Sequence, residues 1–205
     1  ICMLKTERLD RIRAALRAQG LTQMIVCDPK SVWYLTGVAV EPYERLLALY
    51  LPTEGEPVLF LNRLFNVPEP PCRTVWHTDT DKPVAQIAEV VDAGRPLGID
   101  KEWPAKFLIP LMETHPCMQV VLSSDCVDDC RACKDAEEQA LMREASRIND
   151  AVNEAAKHYI KVGMTEREVA EFIDAQFRAH GCEGPSFTTI VSFGANAADP
   201  HHEPD

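Results

Sequence analysis

The chain has 205 residues, 46% of them apolar and 26% charged, and a formal net charge of −11. That much apolar material can build a packed core, and nothing in the composition suggests disorder. The acidic balance argues against a nucleic-acid-binding surface and against adsorption to anionic membranes, and no apolar run approaches the roughly 20 residues that span a bilayer.

The N-terminal stretch soon carries Lys5, Glu7, Arg8, Asp10, Arg11 and Arg13, which does not read as a signal peptide. With no export signal and a domain-sized core, the 8 cysteines are expected to be reduced thiols, several buried as small hydrophobes. A cytoplasmic protein is the expectation.

Taken in order, Leu9, Ile12 and Leu16 fall at helical spacing, with arginines mostly on other faces and Gly20 as a stop. Residues 24–27 read as a short buried strand. Asp28-Pro29 is a cap followed by a first-turn proline, opening a short helix to Gly37. Residues 46–51 and 57–61 are continuous apolar strands around the turn Pro52-Thr53-Glu54-Gly55-Glu56, the clearest hairpin in the sequence. Further strands are predicted at 75–77, 97–100 and 118–122. Helices are predicted at 83–91 and at 104–113, the latter interrupted at Pro110. Alternating helices and strands make this region an α/β layer structure.

The composition shifts near Ser123, which places a domain boundary after residue 125 and a second region at 126–205. A short helix is expected to end near Cys133. A long helix follows from Asp135, with Leu141, Ala145, Ile148, Val152, Ala155 and Tyr159 as its apolar stripe. Thr165 and Glu168 form a capping-box signature for the next helix, whose stripe is Val169, Phe172, Ile173 and Phe177. The alternation of Phe187, Thr189, Val191 and Phe193 predicts a strand, broken into a turn by Gly194 and Asn196. His201 and His202 then stand between Pro200 and Pro204. Two helices feeding a strand begin a second domain that these residues do not complete.

Cys126, Cys130 and Cys133 have the C-x3-C-x2-C spacing of a radical iron–sulfur site. The string lies across the domain junction, and Ala132 stands where an aromatic is usual, so local packing is the better reading. His77, His115, His158 and His180 are scattered and read as satisfied or exposed histidines. No glycine-rich phosphate loop supports nucleotide binding.

Three segments carry a family resemblance. They are Asp28-Pro29 through Gly37 with Tyr43-Glu44-Arg45 and the hairpin; Arg131-Ala132-Cys133-Lys134 with Glu138, the long helix and Gly163-Met164-Thr165-Glu166; and Gly184-Pro185-Ser186-Phe187 with Ile190, Gly194, Asn196, Pro200 and His201. In this order they resemble the pita-bread metallopeptidases of the prolidase and aminopeptidase P branch, which also contains creatinase. The resemblance implies an α/β fold, with a creatinase-type N-terminal domain (a mixed sheet flanked by helices) at 1–125. The start of an α+β pita-bread domain follows at 126–205.

The same resemblance implies hydrolysis of the bond before proline in short peptides, two divalent ions (manganese, cobalt or zinc), and a homodimer. In the family the ions are held by two aspartates, one histidine and two glutamates beyond the position matched by His201. These residues are therefore expected to hold none of them, and to be inactive alone. His201 is the catalytic candidate and, with Phe187 and Ile190 as walls of an apolar proline pocket, the substrate-binding candidate. The metals supply the nucleophile, and an imidazolium N–H can stabilise the charge developing on the carbonyl oxygen or help protonate the leaving nitrogen. The bland alternative for Phe187 and Ile190 is strand core. Two other functions stay open: a non-catalytic dimerisation or substrate-gating module, and a metal-free amidinohydrolase of the creatinase type.

Overall fold

The structure is a computed structural model and describes residues 2–205. It divides into two compact units, the first ending at Cys133 and the second spanning Lys134–Asp205.

The first unit is organised by what its strands bury. β1 (Gln23–Val26), β2 (Ala48–Pro52) and β3 (Val58–Asn62) are almost wholly buried, so apolar residues face both ways along each. Met24, Val26, Leu49, Leu51, Leu59 and Leu61 belong to one core cluster; Ile25, Ala48, Tyr50, Val58 and Phe60 belong to the other. That is the period-two alternation of a strand covered on both faces, and it explains why the sequence reads as continuous apolar runs. α1 (Thr6–Ala18) and α2 (Pro29–Thr36) cover the first face, with Leu9, Ile12, Leu16, Val32 and Leu35 buried. α3 (Pro83–Ala88) and α4 (Ala105–Thr114) supply Ile87 and Leu111 to the second.

The sheet has six strands in the order β4-β3-β2-β1-β5-β6, adding β4 (Arg73–His77), β5 (Leu97–Ile99) and β6 (Val120–Leu122). β1, β2 and β3 pair antiparallel, with Tyr50 opposite Val58 in the hairpin; β5 pairs parallel with β1, β6 with β5, and β4 with β3. It is the mixed sheet flanked by helices expected of this region.

Local chemistry sets the ends of α2. The Asp28 carboxylate accepts from the Ser31 N–H at 2.9 Å, Pro29 fills the first turn, and Gly37 takes the left-handed conformation (φ 70°) that closes the helix. The sequence places an interruption at Pro110, but α4 runs through it. Proline removes one ladder bond, to the Lys106 carbonyl one turn back, and Lys106 is exposed, so solvent can take that carbonyl. The buried His77 is satisfied, with Nε2 3.0 Å from the Leu46 carbonyl and Nδ1 3.3 Å from the Asn62 amide.

α5 (Asp125–Ala132) lies in the first compact unit, which ends at Cys133. Cys126 and Val127 enter the core cluster that holds Leu9 and Ile12. Arg131 reaches back to Asp28 Oδ2 at 3.0 Å and to Ser31 Oγ at 2.9 Å, tying α5 to the start of α2.

The second unit is a helix pair and a trailing segment. α6 (Ala136–Tyr159) and α7 (Glu166–Ala179) both start in complete capping boxes, Asp135 with Glu138 and Thr165 with Glu168. Tyr159 and Phe172 stack with ring centroids 3.8 Å apart, and Val152, Ala156 and Val169 are buried. The apolar stripe predicted along α6 is covered only in its C-terminal half; Leu141 is 66% exposed because α7 packs on the later turns. The strand predicted over 187–193 is not formed. Those residues join no strand and have no ladder partner among the described residues, and a strand without one leaves its N–H and C=O groups to solvent. A 3-10 turn, Gly194–Ala198, follows.

Candidate functional site

The second unit gathers its polar groups at the first turn of α7. Glu166 is the first helical residue and is only 3% exposed. Its Oε1 accepts from the Phe193 amide at 2.5 Å and from Asn196 Nδ2 at 3.1 Å. Its Oε2 lies 2.7 Å from His202 Nε2 and 3.4 Å from the Asp205 amide. The Arg167 N–H of the same turn donates to the Asp205 carbonyl at 3.2 Å. A negative group here also faces the positive end of the helix.

The electrostatics follow from that geometry. The Phe193 amide, aided by Asn196, His202 and the Asp205 amide, outweighs the opposing effect of desolvation and holds the Glu166 carboxyl down to about 2 from 4.5. An acceptor-only carboxylate ringed by donors is stable as the anion.

His201 stands one residue away and behaves differently. It is exposed; its main-chain N–H donates to Asp199 Oδ1 at 2.9 Å, and its ring makes no hydrogen bond among the described residues. The 3-10 turn is linked to it through bonds from the Asp199 amide to the Asn196 carbonyl and from the His202 amide to the Asp199 carbonyl. Of the two imidazoles, the fold fastens His202 and leaves His201 outward.

Phe187 and Ile190 line a cavity of about 780 Å³ together with Met142, Ile148, Val152 and Phe177. His201 is not among its lining residues, so the structure brings Phe187 and Ile190 together with each other but not with His201. Neither is core: Phe187 is 69% and Ile190 40% exposed. Thr189 between them bonds to Asp174 on α7.

Metal-ligand geometry arises at one place among the described residues. The three thiols of α5 and its C-terminus do not converge on a ligand cluster; the single grouping is Glu166, His202 and Asp205, with one donor atom from each within 4.8 Å of the others. This trio does not fit a two-ion centre. Both Glu166 oxygens are already occupied by N–H donors, and His202 Nε2 is turned to one of them rather than to an open position.

Sequence reasoning passed over Glu166. Its neighbour Glu168 carries the visible capping signature, and an acid at the first position of a helix is unremarkable in the sequence. The only hint was the run Gly163-Met164-Thr165-Glu166.

With the geometry in place, comparison with known proteins identifies the chain. The sequence model described as the Creatinase/Prolidase N-terminal domain matches residues 8–133, more than half of the chain. The chain belongs to this family. The model of Metallopeptidase family M24 matches residues 140–205, in the second unit. Among curated relatives, an uncharacterized peptidase of Staphylococcus epidermidis is 27% identical over 201 residues, and one of Staphylococcus aureus 30% identical over 206 residues. Each alignment covers 96% of this chain and 57% of the relative, so the chain spans little more than half the length of these curated relatives. Among solved structures, a recombinant prolidase from Thermococcus sibiricus superposes with a TM-score of 0.87 at 26% identity, covering 99% of this chain and 57% of that one. Dipeptidase PepE from Mycobacterium ulcerans gives 0.86 at 28% identity, covering 98% and 56%. The creatinase-type N-terminal domain and the start of the pita-bread domain are thus both present. No helix among the described residues is long and apolar enough to cross a membrane.

Proposed function

We propose that these residues are the N-terminal part of a metal-dependent peptidase that cuts the bond before proline in short peptides, in the manner of a Xaa-Pro dipeptidase. The observation that carries the reading is the superposition on the Thermococcus prolidase over 99% of this chain, across both units. The two family models fall in the same order along the chain.

In this reading His201 is the imidazole that meets the substrate, and Phe187 and Ile190 are walls of the proline pocket. An exposed ring on a segment tied down at its neighbour is suited to that role: it can reach a bound peptide without first giving up a partner. Its N–H would stabilise charge on the carbonyl oxygen or serve the leaving nitrogen. The divalent ions, manganese, cobalt or zinc, would be held by residues outside this chain, and no step is assigned to the Glu166 trio. A cytoplasmic homodimer belongs to the same proposal.

The test is an assay of the full-length protein containing these residues on Gly-Pro and Ala-Pro, with Gly-Gly as the control and with manganese added. Cleavage of the proline dipeptides alone is expected. His201→Ala should lower turnover roughly 10²- to 10⁴-fold, the range for a proton-transfer group, with no change in melting temperature. Turnover unchanged in that variant removes the His201 assignment, and failure to cleave either proline dipeptide removes the peptidase reading.

A further inference from the structure

No residue between Phe193 and Asp205 is buried. Apolar packing therefore cannot fix the course of the segment, and its polar bonds must. Those bonds converge on one side chain. The Phe193 amide, Asn196, His202 and the Asp205 amide reach Glu166 across separations of 27, 30, 36 and 39 residues.

We infer that Glu166 is a positioning residue: its buried carboxylate staples the 193–205 segment onto the first turn of α7 and so sets where His201 stands. The functional half of this inference rests on the reading of His201 as the imidazole that meets substrate. The structural half does not.

The chemistry selects a carboxylate. All of its neighbours are donors, two at each oxygen, provided the His202 Nε2 carries its proton. A glutamine of the same shape has one oxygen and one NH2 group. Its oxygen can face Phe193 and Asn196, or His202 and Asp205, but not both. If the NH2 faces His202, the imidazole accepts it only by moving its proton from Nε2 to Nδ1. His201 is bracketed by the two ends of the staple, through Asp199 and Asn196 on one side and His202 on the other. Loss of either end lets the ring wander.

The experiment compares the 205-residue chain with its Glu166→Gln variant, by amide hydrogen exchange and by the ring ¹⁵N shifts of His202. In the unaltered chain His202 should carry its proton on Nε2. In the variant, either the Phe193 amide exchanges at least tenfold faster or the His202 proton moves to Nδ1, while Val152 and Val169 keep their exchange rates. Both signals unchanged would overturn the inference. Should Val152 lose protection as well, His202→Ala removes one end of the staple alone, and the Asp205 and Arg167 amides must then exchange faster; unchanged rates overturn it. Zinc added alone must leave the His202 shifts and the Phe193 amide as they were. If it displaces them, the trio is a metal site and the staple is wrong.

In the full-length protein, Glu166→Gln should lower kcat on Gly-Pro roughly 10- to 100-fold, as a displaced catalytic group does, with KM changed less than about threefold well below the melting temperature. The two readings fail separately. Full turnover in His201→Ala defeats the functional reading and leaves the exchange results to decide the staple. A damaging His201→Ala with a fully active Glu166→Gln defeats the positioning role and spares the function.

Discussion

His202 Nε2 lies 2.7 Å from a carboxylate oxygen of Glu166, and Glu166 is buried while the adjacent His201 is exposed. One imidazole of the pair is an anchor and the other is presented.

The anchor has a pH dependence whose sign is fixed. The Glu166 carboxyl is held at about 2 in the folded chain against 4.5 ordinarily. A group depressed on folding contributes stability that is fully present above its unfolded value and is lost as pH falls through its folded value. The contribution of Glu166 should therefore fade between about pH 4.5 and about pH 2. Thermal melts of the unaltered chain and of Glu166→Gln should converge across that window. A constant difference from pH 6 to pH 2 would show that the carboxylate charge is not what the segment uses.

Asp28 caps α2 and holds Arg131 of α5. Burial pushes its carboxyl up, but the hydrogen bonds from Ser31 and the charge of Arg131 outweigh that and leave it below the ordinary value. Asp28→Ala removes the cap acceptor and the guanidinium's partner together, and should cost about 1–3 kcal/mol, a cap plus part of an ion pair. Asp28→Asn keeps an acceptor and should cost about half as much or less. Urea midpoints of the two variants check the order.

Gly98 in β5 has no room for a side chain. A Cβ placed there would collide with the Ser123 hydroxyl and meet the Gln23 carbonyl at 3.2 Å. Gly98→Ala should destabilise by about 1–3 kcal/mol, the usual cost of overpacking. Adding Ser123→Gly should recover part of that loss, since the two sites share one contact. Strict additivity of the pair in denaturant melts would contradict this.

Leu141 reads in the sequence as core but is 66% exposed. Leu141→Glu should change stability by no more than about 0.5 kcal/mol in this chain, as an exposed substitution does. A loss of about 2 kcal/mol or more would mean the residue is covered after all.

The first unit was legible because its elements carry their reasons locally. Asp28-Pro29 and Gly37 mark both ends of α2, and the apolar runs around Pro52–Pro57 are visibly two strands of a hairpin. The second unit was less so. Phe187 and Phe193 have the parity of a strand, yet parity supplies no partner, and the segment forms no ladder among the described residues. Helical spacing put Leu141 and Val152 on one stripe of α6, but α7 covers only the later one. The run Gly163-Met164-Thr165-Glu166 pointed to Glu166 only weakly, because its partners lie 27 to 39 residues downstream. His202 was visible only as half of a pair in which His201 drew the attention.

Both apolar layers of the mixed sheet are built wholly from residues before Cys133, and α6 begins with a cap of its own at Asp135. Nothing in either layer waits for a side chain from the other unit. Such a block is self-contained cargo: joined to a different partner segment, it would arrive with its interior already sealed, and what changed hands would be only the surface it offers.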